Sequence, residues 1–221
     1  IAWIKRRHSN WTNRDNIDFY RKLPPGFLQK VSSLSGLDNV TDLERIKGRL
    51  TSLLSPSPLF LEIGAGDGRV VSWILETFKG VRVYALEHCP ELVTTLEEKF
   101  KFEPKVEILQ GSLLDSLSLP RKPDVITWMW STLLELNPNE QRTALLMLRS
   151  IMSVTTRLVI DINIESNPDQ CGYVDGVALF GTVHYYQLTL AELEQLVSKA
   201  GLKIAHAETY ITSNGSPRRS L

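Results

Sequence analysis

The chain has 221 residues, 43% of them apolar, and is long enough to bury one substantial core. Its 25 Lys and Arg residues balance its 25 Asp and Glu residues, so no net field attracts a polyanion, and we expect no nucleic-acid partner. No apolar run approaches the roughly 18 residues of a membrane span, which argues against a membrane-spanning helix.

The two cysteines, Cys89 and Cys171, lie far apart in the sequence and form neither a metal-ligand pair nor a disulfide framework. The first residues carry charges but lack the apolar core of a signal peptide. Both observations predict a cytoplasmic protein. Because the sequence begins at Ile1 rather than Met, we expect that further residues precede it.

The N-terminal part is predicted to be helical over residues 16–54. One helix ends before the Leu-Pro-Pro-Gly sequence at 23–26, and others follow it. The Ser-Pro-Ser-Pro sequence at 55–58 then breaks the helical pattern. We therefore predict two parts: residues 1–54 form a helical extension or lid, and residues 55–221 form the core.

From residue 59 onward, short apolar runs alternate with amphipathic segments, a pattern typical of a doubly wound α/β fold with a mostly parallel sheet. The predicted strands lie at 59–63, 81–86, 105–109, 124–129 and 156–162. The predicted helices between them lie at 67–79, 90–102 and 138–152. The remainder is predicted as a strand over 181–187, a helix over 189–200, a last strand over 202–211 and a polar tail over 213–220.

The most informative segment, residues 59–71, reads LFLEIGAGDGRVV: an apolar strand runs into a glycine-rich turn and then into a helix. Glycines permit positive φ and let the backbone approach a ligand at the start of the helix. Glu87 ends the next strand, 21 positions after Gly66, where a ribose-binding acid is expected. Each feature alone has an ordinary reading, a tight turn or a solvated Glu, but the pair indicates an adenosine-containing cofactor.

Two details favour S-adenosylmethionine over a dinucleotide. Arg69 stands where the dinucleotide pattern has its third glycine, and Glu62 lies just before the loop. A pyrophosphate gains nothing from a carboxylate there, whereas the ammonium and sulfonium of S-adenosylmethionine are attracted to one.

On these residues the chain resembles the class I S-adenosylmethionine-dependent methyltransferases. The motifs are Glu62-x-Gly64-x-Gly66-x-Gly68, Glu87, and Gly111-Ser112-Leu113. The resemblance covers about residues 55–211, and it implies a Rossmann-like, mostly parallel seven-stranded sheet whose last strand is antiparallel. It also implies that the strand, helix and strand over 181–211 close that sheet.

The resemblance further implies a set of cofactor contacts. Glu62 would approach the methionine end, Glu87 the ribose hydroxyls, and His88 the adenine. The family often has Asp where Ser112 stands, which leaves the contact to the adenine amino group open. Trp128 and Met129 would lie beneath the cofactor, and Trp130 would face the acceptor. The implied cofactor-binding residues are Glu62, Gly64, Ala65, Gly66, Gly68, Glu87, His88, Ser112, Leu113 and Trp128.

Methyl transfer is an in-line displacement at an activated carbon, so a general base is optional. Glu135, Glu165, His184 and the tyrosines are the available bases. Of these, Glu165, after the fifth predicted strand, and Tyr186 are the preferred candidates for a catalytic residue. Glu135 is expected on the surface of a loop or short helix. Asp161 and Asn163 resemble the metal ligands of catechol-type enzymes only in part, because no third ligand accompanies them, and we predict no metal.

Three functions are compatible with these residues. The first is methyl transfer to a small molecule, beneath a lid made of the N-terminal helices and the 164–181 loop. A small molecule is preferred to a nucleic-acid base because the chain lacks the Pro-Pro-aromatic motif typical of base-amino methyltransferases. The second is methylation of a protein side-chain or terminal amine, for which Trp128, Trp130 and the tyrosines would supply an aromatic cage. The third is a cofactor-binding module without catalysis.

Overall fold

The computed structural model describes residues 2–7, 9–34, 41–51, 56–165 and 168–221. Its strands are β1 (Ala2–Lys5), β2 (Leu59–Ile63), β3 (Arg82–Glu87), β4 (Val106–Gln110), β5 (Val125–Trp128), β6 (Arg157–Asn163), β7 (Gly172–Ala178), β8 (Gly181–Gln187), β9 (Glu208–Ile211) and β10 (Pro217–Ser220). Its α-helices are α1 (Asn13–Arg21), α2 (Phe27–Leu34), α3 (Thr41–Thr51), α4 (Arg69–Thr77), α5 (Pro90–Lys99), α6 (Pro138–Ile151) and α7 (Leu190–Lys199).

The main sheet has seven strands in the order β4-β3-β2-β5-β6-β10-β9. The pairs β4–β3, β3–β2, β2–β5 and β5–β6 are parallel, whereas β10 is antiparallel to both β6 and β9. This arrangement confirms the predicted doubly wound α/β fold with seven strands. The chain order reverses beside β2, which places the carboxyl ends of β2, β3 and β5 along one crevice where ligands bind in such sheets.

Both faces of the sheet are covered, which is why its central strands are apolar throughout. Every residue of β2 is buried. Leu61 belongs to the cluster that includes residues of α6 and α7, and Phe60 to the opposite cluster, which includes residues of α3 and α4. Alternate side chains of a strand point to opposite faces, so one strand contributes to both layers of core.

The prediction that 181–187 closes the main sheet is wrong. This segment is β8, which pairs with β7, and β7 pairs with β1, in a separate antiparallel sheet of three strands. A tight connection at residues 179–180 joins β7 to β8, and such a local hairpin closes at little entropic cost. The 164–181 segment, predicted as a loop, therefore contains the β7 strand.

The last strand of the main sheet is β10, which lies in the segment predicted as a polar tail. The sequence does not predict this strand, because its inward side chains, Arg218 and Ser220, are buried but polar. The predicted strand over 202–211 is present but shorter, as β9. The antiparallel closing strand implied by the resemblance is thus confirmed, although a different segment forms it.

The N-terminal part contains the helices α1, α2 and α3, together with the strand β1, which the helical prediction missed. The helix α1 packs against β8 and α5, and so covers the carboxyl edge of the main sheet. The predicted boundary between residues 54 and 55 lies outside the described residues. In the described part of the chain, no helix is both long and apolar enough to cross a membrane.

Candidate active site

A cavity of about 540 Å³ lies at the carboxyl edge of the main sheet. Its floor is made by the loops that follow β2, β3 and β5, and residues of α1, α2 and β8 complete its wall. Ligand cavities in proteins measure roughly 300–1,000 Å³, so this volume suits a cofactor and a modest acceptor.

The glycine loop connects β2 to α4. Its three glycines, Gly64, Gly66 and Gly68, have φ values of +67°, +58° and +79°, a backbone region that favours glycine. Gly64, Ala65 and Gly66 line the cavity, whereas Gly68 does not. A Cβ atom on Gly68 would lie 2.6 Å from Cε2 of Phe100, so this glycine is required for packing at the start of α4.

Glu87 ends β3 beside the glycine loop, and its buried carboxylate accepts three backbone hydrogen bonds. Oε2 accepts from the amide of Gly66 at 2.9 Å, and Oε1 accepts from the amides of His88 at 2.8 Å and Cys89 at 2.9 Å. One side chain thus ties together the loops that follow β2 and β3. Glu87 also lines the cavity, and its ribose-binding role stays a prediction.

Glu62, in β2, reaches the cavity with an unsatisfied oxygen. The residue is 2% exposed, and its Oε2 atom has no hydrogen-bond partner. Burial raises the pKa of this carboxyl well above its ordinary value. The nearby Arg69 is held by Asp42 through two hydrogen bonds of 3.0 and 2.8 Å. A buried carboxyl oxygen without a partner is costly unless a ligand supplies a donor.

His88, Ser112 and Leu113 line the cavity beyond Glu87. The Nε2 atom of His88 is buried without a partner, and burial lowers the pKa of the imidazole. This ring is therefore a neutral group that can exchange a hydrogen bond with a heterocycle.

The backbone after β5 is strained where it meets the cavity. Trp130 and Ser131 have φ values of +57° and +67°, which residues with side chains rarely adopt. The turn is held from β6: the Ser131 amide donates to the Asp161 carbonyl at 2.8 Å, and the Ser131 hydroxyl accepts from the Asn163 amide at 2.7 Å. Trp128, Met129 and Trp130 all line the cavity, as the resemblance implied.

A buried polar network supports this turn from below. Arg218 of β10 donates from Nε to the Asp161 carboxylate at 2.7 Å, and the Tyr210 hydroxyl donates to the same carboxylate at 2.7 Å. The guanidinium also contacts the side chains of Asn163 and Ser131. Asp161 and Asn163 are thus engaged by protein groups, and in the described ranges no cluster of His, Cys, Asp and Glu could hold a metal ion.

Glu135 is buried in the cavity wall, so the expectation of a surface residue is wrong. It ends the short 3₁₀ helix Thr132–Glu135, is 6% exposed, and accepts hydrogen bonds at Oε1 from the hydroxyls of Tyr20 and, at 3.5 Å, Tyr185. Burial raises the pKa of this carboxyl to about 8. No local pattern could reveal the cluster, because its two tyrosines come from α1 and β8.

The two candidates for a catalytic residue differ in position. Glu165 lines the cavity, whereas Tyr186 does not. Tyr186 follows Tyr185 in β8 and so points to the other face of that strand, where its ring packs on Tyr173 at 5.0 Å. Apart from Gly68, every residue predicted to bind the cofactor lines the cavity.

Comparisons with known proteins agree with this arrangement. Residues 60–155 match the model of a family described as a methyltransferase domain. This match covers less than half of the chain and is consistent with the resemblance to the class I S-adenosylmethionine-dependent methyltransferases. Over 73 residues, 33% of its length, the chain is 38% identical to a probable ribosomal RNA small subunit methyltransferase A of Methanococcoides burtonii, and it spans about a quarter (26%) of that relative's length.

Solved structures of methyltransferases share the fold of this chain. The 1,6-didemethyltoxoflavin-N1-methyltransferase of Burkholderia thailandensis superposes with a TM-score of 0.67 at 17% identity, over 99% of this chain and 92% of that one. A SAM-dependent methyltransferase of Leishmania major superposes with a TM-score of 0.68 at 14% identity, over 94% of this chain and 81% of that one. Identities this low demonstrate a common fold and nothing about the acceptor.

Proposed function

We propose that this chain binds S-adenosylmethionine over its glycine loop and transfers the methyl group to a small-molecule acceptor in the same cavity. The observation that carries the proposal is the continuity of the cavity. One end is lined by Glu62, Glu87 and His88, and the wall that includes Glu135 and Tyr185 offers further polar groups.

The residues at the loop end fit the cofactor. The unpartnered Oε2 of Glu62 would accept hydrogen bonds from the ammonium group, and Glu87 would accept from the ribose hydroxyls. Gly66 leaves room for close backbone contact, because a Cβ there would meet nothing nearer than Leu28 Cδ1 at 3.5 Å. When bound, S-adenosylmethionine supplies a methyl group activated for in-line displacement.

The chain's own contribution to the reaction is to position the acceptor and to exclude water. Phe19 and Tyr20 of α1, with Phe27 and Leu28 of α2, line the cavity together with β8. A nucleophile held in line with the methyl carbon needs little further assistance, since alignment alone removes much of the barrier. The cover over the sheet edge also favours an acceptor small enough to be enclosed.

A protein amine is the second candidate acceptor. Trp3 lines the cavity although its side chain is 57% exposed, so an aromatic surface extends from the wall toward solvent, where a protruding side chain could enter. A nucleic-acid acceptor is disfavoured, because the ionisable side chains that line the cavity are mainly acidic, and Arg69, which also lines it, is already paired with Asp42. A cytoplasmic location remains a prediction from the sequence.

The decisive experiment combines binding with transfer. Calorimetry should show that S-adenosylhomocysteine binds and NAD does not; tight NAD binding would overturn the cofactor assignment. Methyl-labelled S-adenosylmethionine is then incubated with the protein and a cell extract separated by size. Label in the small-molecule fraction supports the proposal, label in the protein fraction supports the second candidate, and binding without transfer supports a non-catalytic module.

A further inference from the structure

The cavity is acidic, which limits the charge of what it can hold. Its lining includes the carboxyl groups of Glu62, Asp67, Glu87, Glu135 and Glu165. Arg69 also lines it, but both of its terminal nitrogens are hydrogen-bonded to Asp42. A cationic or neutral acceptor is therefore favoured over an anionic one.

Glu135 is the carboxyl group in this lining whose geometry suits an acceptor. The Tyr20 and Tyr185 hydroxyls both donate to Oε1, which fixes the orientation of the side chain. Within the described ranges, Oε2 has no hydrogen-bond partner, and the side chain lines the cavity. One oxygen is thus held by the protein while the other is available to a donor.

Two aromatic rings contact this carboxyl group, and two more pack against those rings. Tyr20 and Tyr185 contact it directly, and Trp3 packs against Tyr185 with ring centroids 5.3 Å apart. Phe19 lies edge-on to Tyr20 at 5.5 Å, and all four rings line the cavity. Aromatic faces beside a carboxylate form a site that attracts an organic cation.

We propose that the methyl acceptor is an amine, and that the Glu135 carboxylate binds its ammonium form and takes one proton from the nitrogen. This inference rests on the proposed function, which it narrows to N-methylation. A small-molecule amine and a protein amine would present the same group to this site.

The step balances as follows. An ammonium R–NH₃⁺ gives one proton to Oε2 of Glu135 and becomes R–NH₂. The nitrogen lone pair forms the new N–C bond to the methyl carbon, while the C–S bond breaks and its electron pair stays on sulfur. The products are R–NH₂⁺–CH₃ and S-adenosylhomocysteine. The proton held by Glu135 then passes to solvent, so one proton is released per turnover.

The surroundings of Glu135 suit proton transfer near neutral pH. The titratable groups that face it are Tyr20 from α1, Tyr185 from β8 and Glu87 from the end of β3. Burial is the largest cause that raises the pKa of Glu135 to about 8; repulsion by Glu87 adds to it, and the two tyrosine hydroxyls oppose it. A general base is most effective when its pKa lies close to the working pH.

The first test measures binding and needs no knowledge of the natural acceptor. Benzylamine and benzyl alcohol are titrated into the protein saturated with S-adenosylhomocysteine over a pH series that rises above 8, because Glu135 must lose its proton before it can attract the ammonium group. Wild type should bind benzylamine at least ~10-fold more tightly, the effect of a charged hydrogen bond. Glu135→Gln should lose that preference, and Glu98→Gln, an exposed residue of α5, should keep it. Equal affinities in wild type, or an unchanged preference in Glu135→Gln, would overturn the proposal.

The second test measures transfer from labelled S-adenosylmethionine to the extract fraction that accepts label. The product should be retained by a cation exchanger at neutral pH; a neutral product, such as an ether or ester, would refute the amine while leaving the methyltransferase function intact. Glu135→Gln should slow transfer ~100-fold or more at neutral pH and recover as pH rises, because free amine then becomes available. A loss that does not recover at high pH would contradict a proton acceptor.

The folding of Glu135→Gln is checked by thermal melting. If it fails to fold, Tyr185→Phe carries the test. Loss of the Tyr185 hydroxyl removes one donor to the carboxylate. The preference for benzylamine should then appear only at a higher pH than in wild type, and an unshifted pH dependence would count against Glu135.

Discussion

Glu87 serves two purposes with one carboxylate. It faces the cavity, and it also accepts hydrogen bonds from the backbone amides of Gly66, His88 and Cys89. An acid that binds ribose from this position therefore also holds together the loops that follow β2 and β3. Its replacement removes three contacts within the protein as well as the proposed contacts to the ribose.

We predict that Glu87→Ala weakens binding of S-adenosylhomocysteine by about 1.5–3 kcal/mol, the usual range for hydrogen bonds to a charged group. Because three buried amides lose their acceptor, the variant should also melt at a lower temperature. Calorimetric titration and thermal melting measure the two effects. Glu87→Gln, which keeps one acceptor oxygen, should show smaller losses; full affinity in Glu87→Ala would mean that the carboxylate does not contact the ligand.

Substitutions at Gly66 and Gly68 can distinguish an effect on the conformation of the loop from an effect on ligand binding. Gly68→Ala should destabilise the fold by about 1–3 kcal/mol, since its Cβ would meet Phe100 at 2.6 Å in a backbone of φ +79°. At Gly66 a Cβ would make only ordinary contact with Leu28 Cδ1 at 3.5 Å, but its φ of +58° strains any side chain, so Gly66→Val should cost about 1–3 kcal/mol, keep the chain folded and abolish cofactor binding. Denaturant unfolding and ligand-induced shifts in melting temperature measure these effects. Normal ligand stabilisation in Gly66→Val would show that this turn does not contact the cofactor.

The strand β10, near the end of the chain, is linked to the active site through its contacts with β6. Arg218 on this strand pairs with Asp161 on β6, and the strained Trp130–Ser131 turn is hydrogen-bonded to the same part of β6. A polar strand is thus held between β6 and β9 by an ion pair rather than by apolar packing. We infer that Arg218 helps to fix the position of Trp130 at the cavity floor.

Arg218→Ala is predicted to destabilise the protein by about 3–5 kcal/mol, because Asp161 would remain buried without its cation. The neighbouring Arg219 supplies a matched control. Its side chain points to the other face, is 18% exposed, and pairs with the half-exposed Glu194 and with the Thr209 hydroxyl, so Arg219→Ala leaves no buried carboxylate without its cation and should cost clearly less than Arg218→Ala, about 1–2 kcal/mol. Urea unfolding of both variants compares these costs, and equal losses would indicate that the buried pair does not support the sheet.

The same elements show what the sequence can and cannot predict. The strand-glycine-helix segment and Glu87 are local patterns whose chemistry requires those residues in that order, so they could be recognised directly. The strand β10 could not, because Arg218 is buried only by virtue of Asp161, 57 positions away. Glu135 is similar: its burial depends on Tyr20, 115 positions before it. Local periodicity contains no information about such long-range polar pairs.

In the molecule as a whole, the active site is enclosed between two separate substructures. The seven-stranded sheet supplies the cofactor side, and α1, α2 and the three-stranded sheet supply the cover. This enclosure removes carboxyl groups from water. Burial is the largest cause of the raised pKa of both Glu62 and Glu135. The stability of the ligand-free fold is thereby coupled to pH through its binding site.

We predict that the ligand-free protein becomes less stable as pH rises from about 5 to 8, and that Glu135→Gln flattens this dependence. The unfolded chain releases the Glu135 proton near the ordinary value of 4.5, whereas the folded chain keeps it until about pH 8. Between these values the folded state binds more protons, so each rise in pH favours unfolding. Since one pK unit corresponds to about 1.4 kcal/mol, Glu135 contributes a few kcal/mol at most.

Urea unfolding at a series of pH values measures this slope in wild type, in Glu135→Gln, and in Glu98→Gln as an exposed control. Glu98→Gln should follow wild type throughout. Glu135→Gln should gain stability relative to wild type mainly toward the alkaline end of the window. There the buried wild-type carboxyl must either carry a charge or hold a proton that the unfolded chain would release. Parallel curves for the three proteins would show that Glu135 titrates normally, and would remove the electrostatic reason to regard it as a base poised for neutral pH.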